Sequence, residues 1–519
     1  MSTTNTTYNY IIIGAGASGC VIANRLSADP LVTVLVLEAG VPDTNPDIAD
    51  IGGFVRLWGS DVDWALPTIA QAGMLGRQIT INQGKVLGGS SSINAMMYVR
   101  GNAQNFDDWA AQGAEGWGYD EVLPYFKKIE KYKGGDASYH GLDGEISLSD
   151  CPDSHMRSPE FLEAARQAGY NELHSDYNGA KQSNSAGYLQ FHIDGNKKRE
   201  SGATAFLHPV MERGNLIVET EAVVKKIIIQ SGVATGVEYV IDGQTYIANA
   251  TNDIVLSAGA FGSPKILMLS GIGAAADLQP LGIDVVVDLP GVGQNLQDHL
   301  QLPIIFRTDT KLPHTTLLTG NVLFVNTTNT GAPDMQINFT PSMPAPLAPI
   351  LPDFGGPVCI FLAILVQPKS KGEVKLASGD YATNPLINPQ YLSNSADVEA
   401  LSKAVEIIRN IAAQPAFAHL NVAEIVPGNA PMDGFIRSQS NTLWHPAGTC
   451  KMGNDEMAVV DGRLKVKNVK NLRVADASIM PVVTSGNTVA TCFMIGERAA
   501  EMILQDNKKL FKNGMLISV

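Results

Sequence analysis

The chain has 519 residues, and its 37 lysines and arginines stand against 51 aspartates and glutamates, for a formal net charge of −14 at neutral pH. This acidic balance disfavours a nucleic-acid binder, which needs a basic surface. Hydrophobic residues make up 45% and charged residues 17% of the chain, as in compact globular proteins, and the length leaves room for two domains.

The cysteines indicate a reducing environment. There are five, Cys20, Cys151, Cys359, Cys450 and Cys492, too scattered to form a C-x-x-C metal site or redox disulfide. The N-terminus lacks the basic and apolar regions of a secretory signal, and no apolar stretch is long enough to span a bilayer. The sequence therefore predicts a cytoplasmic protein without a metal or a transmembrane segment.

The N-terminal residues predict a strand, a glycine turn, a helix and a second strand. An apolar run over 10–13 is followed by GAGASG, a helical pattern to Leu26 and the strand VTVLVLEAG. This order is typical of a Rossmann-like dinucleotide-binding unit, although the motif alone does not separate FAD from NAD.

Each glycine of this turn has a predicted role. Gly14 permits the sharp turn, Gly16 lets backbone N–H groups approach a pyrophosphate, and Gly19 allows close packing of the helix. Glu38 closes the second strand, where its carboxylate can accept hydrogen bonds from a ribose.

Further along the chain, the run GKVLGGSSSINAMMYVRG is rich in small residues and predicts a site of close backbone approach. The block IVLSAGAFGSPKILMLSGIG predicts another strand-to-helix crossover, preceded by a small antiparallel meander. Between His299 and Ile436 the pattern changes to that of an inserted domain. The predicted fold is α/β, with a discontinuous Rossmann-like domain (1–150, 200–298 and 437–519) and an α+β substrate domain on an antiparallel sheet (151–199 and 299–436).

Six blocks together resemble the glucose-methanol-choline (GMC) oxidoreductases, in the order found in that family. They are YIIIGAGASGCVIANRLS with LEAG, GKVLGGSSSIN, SAGAFGSPKILMLSGIG, PGVGQNLQDH, WHPAGTCKMG, and ADASIM with SGNTVAT. The chain is most similar in these blocks to bacterial choline-dehydrogenase-like members. The resemblance implies an FAD-binding domain and a substrate domain whose antiparallel sheet covers the flavin.

The resemblance also implies which residues bind FAD. One group would hold the ADP half, a second the pyrophosphate and isoalloxazine, and a third the ribityl chain and ring. These are Gly14, Gly16, Ala17, Ser18, Gly19, Glu38, Ala39 and Val224; Leu87, Gly88, Ser90, Ser91, Asn94, Ala95, Met96 and Met97; and Asp476, Ala477, Thr488 and Val489. From side-chain type alone, a strand core position is the favoured role for Val224, and Asp476 equally suits a turn cap.

Oxidation of an alcohol to an aldehyde or ketone needs a base beside the hydride acceptor, and histidine suits this role near neutral pH. In the resemblance, His445 takes the place of the catalytic histidine and Asn487 that of its partner. His445 would remove the hydroxyl proton, and Asn487 would hydrogen-bond the same oxygen as hydride moves to flavin N5. Trp444 is either a residue that faces substrate or one that packs the loop.

Several properties stay open at this stage. Ile93 stands where some family members carry a flavin-linked histidine, so FAD is expected to be noncovalent there. The substrate is a small alcohol of unspecified type, and the electron acceptor is oxygen or a quinone-like compound. Hydroxynitrile lyase and fatty-acid photodecarboxylase members of the family provide the alternative functions.

The remaining histidines receive lesser roles from the sequence. His299 is expected to help cover the flavin without reacting, and His208 to pack beside Pro209. Those without a supporting constellation are His140, His155, His174, His192, His314 and His419.

Overall fold

A five-stranded parallel sheet forms the base of the molecule in the computed structural model, which describes residues 6–170, 176–180, 182–328 and 331–512, with side chains up to residue 507. In spatial order its strands are Leu216–Glu219, Val34–Leu37, Tyr10–Ile13, Ile254–Leu256 and Leu472–Val474. The middle strands are continuously apolar because helices cover both faces of such a sheet.

The first and last long helices pack together against this sheet. Ala17–Leu26 follows the glycine turn, and Val489–Lys512 closes the chain. Both contribute to one large apolar core that also contains the parallel strands. The predicted Rossmann-like unit is confirmed, and its helix ends at the predicted residue.

A four-stranded sheet lies beside the parallel one and contains the predicted antiparallel meander. Its order is Thr6–Tyr8, Gln244–Ala250, Val233–Ile241 and Val223–Gln230, and all neighbours except the first pair are antiparallel.

The largest sheet has seven antiparallel strands. They are Ala423–Val426, Leu300–Arg307, Val358–Leu365, Met335–Thr340, Asn321–Val325 and Ser185–Tyr188 in spatial order, with Asn441–Thr442 paired to Leu300–Arg307. The helices Pro159–Gln167, Ser395–Ala412 and Met432–Gln439 share an apolar core with it. The predicted α+β part of the fold is therefore present. The strand Asn441–Thr442 extends this sheet with residues from the segment predicted for the other domain.

The other elements are short or peripheral. The remaining α-helices are Pro46–Ala49, Phe54–Leu57, Ala103–Ala111, Tyr119–Ile129, Gly259–Leu269 and Ala275–Leu278. Small sheets are formed by Gln294–Leu296, Gly372–Lys375 and Leu386–Asn388; by Leu66–Pro67 with Thr80–Ile81; by Glu130–Lys131 with Ile146–Ser147; by Ser149–Asp150 with Gln190–Phe191; and by Ile272–Gly273 with Val287–Asp288.

Irregular helical turns complete the chain. They are Ala72–Met74, Gly89–Ser92, Ser154–Met156, His208–Val210, Gln279–Leu281, Pro415–Leu420 and Ala477–Ile479, with a π-helical turn at Ala203–Leu207. Within the described ranges, no helix has both the length and the apolar character needed to cross a membrane.

Candidate active site

The glycine turn of the parallel sheet lines a cavity. Gly14 has a φ of 98°, and a Cβ there would lie 2.4 Å from the carbonyl oxygen of Ser257. A Cβ on Gly19 would lie 2.0 Å from the carbonyl oxygen of Gly14. Both positions therefore require glycine, the first for its conformation and both for close backbone approach.

The start of the helix Ala17–Leu26 lies on the cavity wall. Gly16, Ala17 and Ser18 line the cavity, and Gly16 is the N-cap residue without a side-chain capping bond. The first N–H groups of a helix have no partner within it and carry partial positive charge. This wall is suited to an anionic group such as a pyrophosphate.

Glu38 lies at the end of the strand Val34–Leu37 and also lines the cavity. Its carboxylate accepts hydrogen bonds from the N–H groups of Ala15 and Gly40, both at 2.8 Å. Burial raises the pKa of Glu38 to about 7, and the two backbone donors oppose this shift. The carboxylate is thus anchored at the predicted ribose end of the cavity.

Most of the predicted cofactor residues line this cavity. They are Gly14, Gly16, Ala17, Ser18, Glu38, Ala39, Ser90, Ser91, Asn94, Ala95, Met96, Met97, Val224, Asp476, Ala477, Thr488 and Val489. The structure places Gly19, Leu87 and Gly88 behind its wall. Gly19 packs on Gly14, and the N–H of Gly88 donates to the carbonyl of Ala15 at 2.8 Å.

Asp476 combines the two roles that the sequence left open. It lines the cavity and caps the turn Ala477–Ile479 by accepting from the N–H of Ser478 at 2.8 Å. The Ser263 hydroxyl and the Gly259 N–H also donate to it, at 2.5 and 2.9 Å. Burial raises the pKa of Asp476 above its ordinary value.

His445 and Asn487 meet on the wall of the same cavity. Asn487 Nδ2 lies 3.3 Å from His445 Nε2, although the two residues are 42 positions apart in the chain. Both line the cavity, and Asn487 immediately precedes the helix-start residues Thr488 and Val489. Asn487 Oδ1 is buried without a hydrogen-bond partner among the described residues.

Burial lowers the pKa of His445 to about 3, so the imidazole is neutral near neutral pH. Its backbone N–H donates to Asp298 Oδ1 at 2.8 Å. Asp298 is buried, also accepts from the hydroxyl groups of Thr442 and Tyr391, and has a pKa raised to about 6 by burial. The loop that carries His445 is therefore fixed by a carboxylate of the neighbouring segment.

His299 makes a contact that the sequence did not reveal. Its Nδ1 lies 3.0 Å from His445 Nδ1, behind the His445 ring. The block QNLQDH places an aspartate and a histidine directly before the strand Leu300–Arg307. This pair of polar residues was the sequence feature that could have pointed to a contact with the segment of His445.

Three tryptophans of the described residues line the cavity together with His445, and the sequence singled out one of them. Trp444 lines the cavity and packs against Trp58, with ring centroids 4.6 Å apart, and its contact with substrate stays a prediction. Trp64 also lines the cavity, with Lys85 Nζ 5.0 Å above its ring. Leu66 and Phe261 complete this apolar wall and share a cluster with Trp444.

Among the histidines that the structure describes, His445 is the one that lines the cavity. His140 has a constellation that the sequence did not reveal, because its ring contacts Glu130 at 2.9 Å and Asp176 at 2.6 Å. Arg100 pairs with the same Glu130, so the group is a buried ion cluster. His174 lies outside the described residues. The described residues contain no cluster of histidine, cysteine or acidic side chains suited to a metal.

The residues present fit a dinucleotide. The helix start offers donors to an anion, Glu38 offers an acceptor, and Asn487 Oδ1 is a buried acceptor without a partner among the described residues. Comparison with known proteins agrees with this fit. The family model described as GMC oxidoreductase matches residues 8–301 with its N-terminal part and 368–496 with its C-terminal part.

Two curated relatives are similar over nearly the whole chain. One is "Alcohol dehydrogenase [acceptor]" of Pseudomonas putida, 38% identical, covering 96% of this chain and 96% of that protein. The other is the mitochondrial choline dehydrogenase of Homo sapiens, also 38% identical, covering 96% of this chain and 89% of that protein. Among solved structures, the pyridoxine 4-oxidase from Mesorbium loti superposes with a TM-score of 0.89 at 31% identity, covering 96% and 99% of the two chains.

The chain belongs to the GMC oxidoreductase family, whose members bind FAD. It is an enzyme, and the predicted family and fold are confirmed.

Proposed function

We propose that this protein uses noncovalently bound FAD to oxidise an alcohol to an aldehyde or ketone. The observation that carries the proposal is the contact of Asn487 Nδ2 with His445 Nε2, on the wall of the cavity that the glycine turn also lines. When bound, FAD supplies the hydride acceptor, at flavin N5.

The ADP half fits the end of the cavity formed by Gly14, Gly16 and Glu38, where backbone donors meet a carboxylate. Ile93, which lines the cavity, has no nucleophile, and burial raises the pKa of the nearby cavity thiol Cys492 to about 12. A protonated thiol is a poor nucleophile, which supports noncovalent attachment.

His445 is the proposed base. Its neutral Nε2 faces the cavity and takes the hydroxyl proton while hydride leaves the same carbinol carbon. Asn487 donates from Nδ2 toward the same oxygen and stabilises the negative charge that develops there. The carboxylates of the cavity wall, Glu38 and Asp476, are each engaged by backbone donors and are not alternative bases.

The wall beside His445 favours an uncharged alcohol over choline. Recognition of a quaternary ammonium uses open aromatic faces or a carboxylate. Among the described lining residues, the acidic ones are Glu38 and Asp476, both committed to the hydrogen bonds given above. One face of Trp444 packs on Trp58, and a face of Trp64 is covered by the cation of Lys85.

The experiment is anaerobic mixing of the purified flavoprotein with a panel of alcohols, with loss of oxidised flavin absorbance as the signal. Choline and its uncharged isostere 3,3-dimethylbutan-1-ol form the matched pair within the panel. We expect the flavin to be reduced, with the isostere at least ~10-fold faster than choline at equal concentration, because burying an unpaired cation is costly. Failure of every alcohol contradicts the proposed oxidation, and faster reduction by choline contradicts only the substrate class.

The same preparation separates the remaining possibilities. Admission of oxygen after reduction distinguishes an oxidase from a dehydrogenase that needs a quinone-like acceptor. Cyanide release from mandelonitrile, or hydrocarbon formation from a fatty acid under blue light, would instead support the lyase or photodecarboxylase function. The predicted cytoplasmic location is tested by fractionation of cells that express the protein.

A further inference from the structure

Two imidazole rings meet behind the proposed base. His299 Nδ1 and His445 Nδ1 are 3.0 Å apart, and the ring planes are inclined by 88°. Burial lowers the pKa of both histidines, so both rings are neutral near neutral pH. At this distance one ring nitrogen must donate its proton and the other must accept it.

The far side of His445 decides which ring donates. Its Nε2 lies 3.3 Å from the amide nitrogen of Asn487, and an amide nitrogen only donates. His445 Nε2 must then be the acceptor in that contact, and the proton of the neutral ring is on Nδ1. His299 Nδ1 accepts this proton in turn and carries its own proton on Nε2.

The surroundings of His299 are consistent with this arrangement. The side chain is 0% exposed, and its Nε2 makes no well-formed hydrogen bond among the described residues. The backbone groups of Val366 and Thr484 oppose the lowering of the His299 pKa, as carbonyl oxygens facing an N–H do. A proton on His299 Nε2 therefore points toward these carbonyl oxygens. A lone pair on His299 Nε2 would instead face the lone pairs of the same oxygens.

The backbone around His445 is held by separate contacts. The N–H of His445 donates to Asp298, and the N–H of Leu443 donates to the carbonyl oxygen of His299 at 2.8 Å. These bonds do not use the His299 side chain. A change of that side chain thus removes the ring contact and leaves the local chain path supported.

We infer that His299 is a positioning residue, which fixes His445 in the Nδ1–H tautomer. The lone pair is thereby kept on Nε2, where it accepts from Asn487 in the resting enzyme and takes the hydroxyl proton when an alcohol is bound. The catalytic role of this tautomer rests on the proposed alcohol oxidation. The assignment of the tautomer does not depend on the proposed function. When His445 accepts the hydroxyl proton it becomes an imidazolium, and its Nδ1–H bond to His299 becomes charge-assisted. The hydride of the same carbon goes to the flavin, so the alcohol loses one proton and one hydride.

The matched variants are His299→Asn and His299→Leu, which have similar size and shape. Asparagine can present Oδ1 as an acceptor near the position of the lost Nδ1, and leucine cannot. We expect His299→Leu to lower the limiting rate of anaerobic flavin reduction by about 10²-fold, with His299→Asn within about 10-fold of the wild type, since loss of a tautomer-fixing partner is costly. The concentration of alcohol that gives half the limiting rate should change little in either variant.

Equal losses in the two variants, or a wild-type rate in a folded, FAD-containing His299→Leu enzyme, would overturn the inference. FAD content and melting temperature of each variant show whether it is folded.

A second measurement needs neither a variant nor an active enzyme. Long-range ¹H–¹⁵N correlation spectra of the ¹⁵N-histidine-labelled holoenzyme report which nitrogen of each ring carries the proton. The expected result is Nδ1–H for His445 and Nε2–H for His299. A proton on His445 Nε2 in the resting enzyme overturns the inference even if alcohols reduce the flavin. If no alcohol does so, the proposed function fails while the spectra still decide the tautomer.

Discussion

Replacement of His445 by alanine removes the imidazole that faces Asn487 and leaves no equivalent base at the same point. The carboxylates of the described cavity wall, Glu38 and Asp476, are occupied by backbone donors. Loss of a positioned general base, together with its alignment to the substrate, is expected to lower flavin reduction by about 10³-fold, or about 4 kcal/mol in the activation free energy.

The assay is single-turnover flavin reduction under anaerobic conditions, with the FAD content of each preparation measured first. His208→Ala is the matched control, because His208 is exposed, is paired with Asp43 at 3.0 Å and is not among the residues that line the cavity. It should retain the wild-type rate. Truncation of His445 also opens His299 Nδ1 to the cavity, where this nitrogen can act as a weaker base. The residual rate of His445→Ala is therefore expected to fall further in the His445→Ala, His299→Leu double variant. A His445→Ala enzyme that binds FAD and reacts within 10-fold of the wild type would refute the assignment of the base.

Three further predictions follow from separate contacts. Asn487→Ala should retain FAD and lower flavin reduction by about 10²-fold through loss of one oriented donor, and an unchanged rate in the anaerobic assay would contradict that role. Gly14→Ala should weaken FAD binding at least ~10-fold in a titration of apoprotein, because the added Cβ would meet Ser257. The control is Gly243→Ala, which should bind FAD normally because Gly243 has a similar φ of 74° but open space around it. His192 is buried with a pKa lowered to about 3, so the unfolded chain binds one more proton than the folded one between about pH 3 and 6.5. The stability advantage of the wild type over His192→Asn should therefore shrink by ~2 kcal/mol from pH 7.5 to pH 5.0 in denaturant unfolding, and a pH-independent difference would contradict the buried neutral imidazole.

The nucleotide-binding part of the fold could be predicted from the sequence because its signals are local. The turn at Gly14 and Gly16, the helix to Leu26 and the buried strand before Glu38 follow one another within about thirty residues, and each has a conformational requirement readable from residue type. His445 and Asn487 were identified differently, through family resemblance, since nothing in a spacing of 42 residues predicts a contact.

Tertiary structure alone decided the environment of the proposed base. His299 lies 146 residues before His445, Trp58 packs on Trp444 from another segment, and His140 contacts both Glu130 and Asp176. The sequence by itself determined the strand–turn–helix unit and the kinds of side chain available for chemistry. It did not determine which rings share a proton, because hydrophobic periodicity and turn chemistry act over a few residues, whereas these contacts arise when separate sheets pack around one cavity.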